Sequence, residues 1–69
     1  MNKEETHKEF EDTLQELKFD FDKLKYGKKV DEEKLAFNII MASALGDKLV
    51  DEYGFDIDTI SDRIDDVLG

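Results

Sequence analysis

The sequence predicts an all-α protein: a small three-helix bundle with a largely buried central helix, completed by homodimerisation. Three observations carry that reading. Apolar residues recur at steps of three and four through most of the chain, the spacing of one helix face. None of the 69 residues is proline, so nothing in the interior forces a break. Gly27 and Gly54 divide the chain into three segments at the places where helices would end. The whole chain, residues 1–69, reads as one helical domain.

Helix one is expected over residues 3–26. Asn2 followed by Glu5 suits a capping box. Phe10, Leu14, Leu17, Phe21 and Leu24 form a narrow apolar stripe. Gly27 stands at a left-handed C′ position, and Lys25, Lys28 and Lys29 sit near the negative end of the helix dipole. The segment FDFD at 19–22 also alternates with period two, which leaves a short strand as an alternative there.

Helix two is expected over residues 32–53, with Asp31 as N-cap and Val30 stapled to Leu35. Its middle, LAFNIIMASALG, is polar only at Asn38 and Ser43. A helix apolar nearly all round is one buried nearly all round. Gly54 closes it, with Phe55 packing back. Helix three is expected over residues 57–68, begun by Asp56 and a Phe55–Ile60 staple. Ile57, Ile60, Ile64 and Val67 form its inward stripe, opposite Asp58, Asp62, Asp65 and Asp66. Two amphipathic helices leave one side of helix two uncovered, near Phe37, Met41, Ala44 and Leu45. The same helix of a second chain, in a two-fold contact, is the expected cover. Ala42 and Gly46, four apart, suit close approach of another helix.

A chain this short hides only ~60% of its unfolded surface, so its core is marginal without a staple. It has no cysteine, which removes disulfides and thiolate metal sites and leaves oligomerisation as the staple. The N-terminus is charged from Lys3, with no apolar leader core behind it, and the longest apolar-rich run, Leu35 to Leu45, falls short of a membrane span. The expected location is the cytoplasm.

Charge is the most informative property. Residues 1–29 carry eight acids against seven lysines, whereas residues 30–69 carry eleven acids against Lys34, Lys48 and Arg63. With a net charge of −9 and a pI near 4.4, direct contact with nucleic acid or an anionic membrane is disfavoured. The expected partners are basic proteins, including nucleic-acid-binding proteins.

Most chemistries find no residues to carry them. His7, the one histidine, sits in a charged first turn, and Ser43 and Ser61 have no evident base. A bundle of this size is not expected to hold a ligand pocket of several hundred cubic ångströms. Asp56, Asp58 and Asp62 alternate as in a calcium loop, but the glycine at its sixth position and the glutamate at its twelfth are missing. Helix capping accounts for these acids better, so neither a metal nor a cofactor is expected. The expectation is a protein that is not an enzyme.

Two surfaces remain as candidates. One is an acidic face of Asp51, Glu52, Asp58, Asp62, Asp65 and Asp66, denser in one sign than solubility requires. A row of carboxylates can stand in for phosphates in a nucleic-acid-binding groove. The other is the aromatic pair Phe19 and Tyr26, seven residues apart and opposite the apolar stripe. The expected function is therefore regulation or inhibition of a partner through the acidic face, with nucleic-acid mimicry as one form. Small acidic helical proteins recur among phage-encoded inhibitors and antitoxin-like regulators, an analogy of class alone. The alternative is a structural or assembly module that works through homo-oligomeric helix packing.

Overall fold

The computed structural model describes residues 2–68 and consists of three helices, α1 (Lys3–Lys25), α2 (Glu32–Tyr53) and α3 (Ile57–Leu68). The boundaries fall where the capping residues put them. Asn2 accepts the Glu5 amide at 2.8 Å through its side chain, and Asp31 accepts the Lys34 amide at 3.1 Å. Asp56 does the same for α3 by accepting the Asp58 amide at 2.8 Å. At the end of α1, Gly27 adopts φ 73°; its amide donates to the Leu24 carbonyl and that of Lys28 to the Lys23 carbonyl, the paired bonds of a Schellman ending. The period-two segment at 19–22 is helical throughout, because the apolar stripe of α1 runs straight through it.

The core is one cluster of Phe10, Leu14 and Leu17 from α1, Ala42, Leu45 and Leu49 from α2, and Ile60 from α3. Two buried threonines lengthen the α1 stripe beyond its apolar members. The Thr6 hydroxyl donates to the Asn2 carbonyl and that of Thr13 to the Glu9 carbonyl, both at 2.8 Å. Each thus satisfies its one polar hydrogen within its own helix and offers its methyl to the core.

Several expectations are corrected by the packing. α1 packs most extensively on α2, and α3 rests more on α1 than on α2, so α2 is not the hub. α2 is buried on one side only: Phe37, Ile40, Ala36 and Ala44 stand exposed. Leu45, expected on the open side, is 5% exposed within the chain's own core. Gly46 serves α3 of the same chain; a Cβ there would lie 3.0 Å from Ile60 Cγ2 and 3.3 Å from Phe10 Cε1. Ala42 is likewise buried in the core. Ile57, placed on the inward stripe of α3, is 63% exposed, and Leu24 at the end of α1 is also exposed. Both lie within two residues of a helix end.

At about 1.5 Å per residue, α3 is little more than half as long as the α1–α2 hairpin. It covers the half that holds Phe10, Gly46 and Leu49. The other half, towards the loop at residues 26–31, is two helices deep. Leu24, Tyr26, Phe37, Ile39 and Ile40 are all exposed there.

Candidate functional site

The acids expected to form one face stand at the end of α2 and on the outer side of α3. Asp51, Glu52, Asp58, Asp62, Asp65 and Asp66 are all exposed. Ile60, Ile64 and Val67 turn to the core, which fixes the four α3 aspartates on the opposite side of the helix. Two of the six acids have a cation within ion-pair distance. Lys48 Nζ lies 3.8 Å from Glu52, and Arg63 Nη1 lies 3.9 Å from Asp66.

Arg63, the only base on α3, is directed elsewhere. Its guanidinium grips Glu11 of α1 in a fork, with Nη2 donating to Oε1 at 2.7 Å and Nε donating to Oε2 at 3.2 Å. The hydrogen bond to Glu11 raises the Arg63 pKa above the ordinary arginine value, so the charge is permanent. The residue that might have neutralised the α3 aspartates thus closes the α1–α3 seam. Asp58, Asp62 and Asp65 have no salt bridge among the described residues.

Chemically, this face can offer fixed negative charge to a cationic surface. No group of three histidine, cysteine, aspartate or glutamate residues is gathered closely enough to hold a metal among the described residues. Asp56 and Asp58 belong to the start of α3, where the Asp56 carboxylate is spent on capping.

The aromatic pair is exposed, Phe19 at 63% and Tyr26 at 74%. The two are not alike. The Phe19 ring carries the Lys23 ammonium 4.6 Å above its centre and lines an open cleft with Glu16, Asp20 and Lys34. Tyr26 is the C-cap of α1. That cleft measures about 500 Å³, and a second of about 580 Å³ runs between α1 and α3 beside Arg63. The molecule therefore has more concave space than its length suggested. Both clefts are open to solvent and edged by charged side chains. No family model matches the chain, and no curated protein or solved structure matches it.

Of the residues expected at a dimer contact, Phe37 and Ala44 are exposed, Met41 is half-buried against the core, and Leu45 is inside it. Ile40, 66% exposed between Phe37 and Ala44, belongs to the same face and was missed. Its spacing of three and four from those two neighbours was the signal that could have found it. No helix among the described residues is long and apolar enough to cross a membrane.

Proposed function

We propose that the chain is a non-catalytic binding module that regulates or inhibits a basic partner, docking the carboxylates of α3 and the end of α2 on a cationic surface. One observation supports this reading above the others: Arg63 is committed to Glu11, which leaves three α3 aspartates without a counter-ion. Holding like charges together on a rigid helix costs stability through self-repulsion, and a cationic partner relieves it. A nucleic-acid-binding groove is one such partner. The attraction would act chiefly on the association rate and weaken as salt rises.

The test is a variant with Asp58, Asp62, Asp65 and Asp66 all changed to Asn. Helicity by circular dichroism should be retained, while a partner recovered with the wild-type protein should bind at least about tenfold more weakly. Equal affinity for that partner would end this reading.

A second reading, an assembly module acting through its own helix packing, draws support from the uncovered side of α2. It requires a mass of twice 8.0 kDa by light scattering at micromolar concentration.

A further inference from the structure

The uncovered side of α2 has a charge pattern that selects what can cover it. Glu33, Phe37, Ile40, Ala44, Asp47 and Asp51 follow one another at steps of four and three, and so form a single stripe along the helix. All six are exposed, and Phe37 and Ile40 present the largest apolar surface on it. The stripe thus reads acid, apolar, acid. Met41 flanks it and packs against the core, which holds that edge in place. The two lysines of α2 lie off the stripe: Lys34 lines the Phe19 cleft towards α1, and Lys48 lies beside Glu52.

A second copy of α2 fits this pattern poorly in either direction. With the apolar parts superimposed and the helices antiparallel, Glu33 falls beside the copy's Asp47 and Asp51. With the helices parallel, each acid falls beside itself. Like charges brought together at an interface oppose association, and each chain already carries a net charge of −9. A helix with a short apolar stripe bracketed by cations fits in both directions.

We propose that this side of α2 is a docking surface for a basic amphipathic helix of a partner protein. Phe37 and Ile40 are its apolar anchors; Glu33, Asp47 and Asp51 pair with lysine or arginine at the two ends of the incoming apolar stripe. The surface shares Asp51 with the acidic end of α2 but includes none of the α3 aspartates and does not depend on them.

The test uses a synthetic helical peptide of leucine and lysine with an apolar stripe of about two turns, and a control peptide with glutamate replacing every lysine. The probe is titrated into the ¹⁵N-labelled full chain, and affinities are measured for the wild type, Ile40→Gln and the fourfold α3 Asp→Asn variant. Ile40 is exposed, so Ile40→Gln should leave the fold intact, which the variant's own spectrum checks. The expected result is shifts centred on Phe37, Ile40 and Ala44, at least about tenfold weaker binding by Ile40→Gln, little change in the α3 variant and no binding of the glutamate peptide. Shifts confined to Asp58–Asp66, with Ile40→Gln binding as wild type does, would overturn this proposal and leave the α3 reading standing. So would a dimer that Ile40→Gln dissolves, because the copy would then be the occupant. Absence of binding would overturn it as well.

Discussion

Gly46, Gly27 and Gly54 show how one residue type can be required for two opposite reasons. Gly46 has ordinary helical backbone and no room: an added methyl would meet Ile60 Cγ2 at 3.0 Å and Phe10 at 3.3 Å. Both neighbours are buried, and Ile60 is β-branched and stiff, so neither yields freely. Gly27 and Gly54 have open space around them but φ near +72°, where a side chain strains the backbone. For Gly46→Ala, overpacking of ~1–3 kcal/mol opposes a gain in helix propensity of ~1 kcal/mol. The crowding should prevail, with a net loss of ~1 kcal/mol. Gly54→Ala should lose ~1–2 kcal/mol from backbone strain alone. Urea unfolding of both variants checks these values, and a stabilised Gly46→Ala would show that Ile60 can move aside. Thr6 and Thr13 show what a hydropathy pattern conceals at this scale. They read as polar, yet the i−4 carbonyl takes up the hydroxyl and leaves a methyl that packs as valine would.

Among the elements, α3 is the least secured. It is the shortest helix, and Ile60 is its only buried residue, whereas α1 and α2 each bury five. Its polar tie to α1 among the described residues, the Arg63–Glu11 fork, is partly exposed and contributes ~1 kcal/mol or less. Amide hydrogen exchange should therefore release α3 in a partial opening that leaves the Phe10–Leu49 region protected. Identical protection of Ile60, Leu14 and Leu49 would instead mean a single cooperative unit. The extent of each helix was legible in the chain, because caps, glycines and apolar spacing are local signals. Which side each helix presents to which neighbour was not. Leu45 and Ile40 are both apolar residues in the middle of α2, and only the position of α1 sends one inward and leaves the other in solvent. The Arg63–Glu11 pair spans 52 positions and has no local signature.

Taken whole, the molecule is an acidic body whose charge works against its own compactness. Of its salt bridges, those of Lys8 with Asp12, exposed, and Lys48 with Glu52, partly exposed, are i,i+4 pairs of small worth. Net repulsion should therefore outweigh attraction in the response to salt. Raising sodium chloride from about 10 to about 150 mM shortens the screening length from ~30 to ~8 Å. The Tm should rise by a few degrees; a fall would show that the ion pairs dominate. The acidic half of the candidate site was legible at this scale, since it rests on composition and one helix period. The apolar half was legible in part: Phe37 and Ala44 follow from spacing along α2, whereas Ile40 joined them only once Asn38, Ala42, Leu45 and Leu49 were seen to form the buried side.

A three-helix bundle can wind with either hand, according to which side of the first two helices the third comes to rest on. Apolar stripes alone are nearly indifferent to that choice, since either placement buries them. Here Gly46 makes one side of α2 low enough for Ile60 to approach, and Glu11 on α1 receives Arg63 from that same side. A missing side chain and one fork of hydrogen bonds, each modest in energy, both favour the side on which α3 rests.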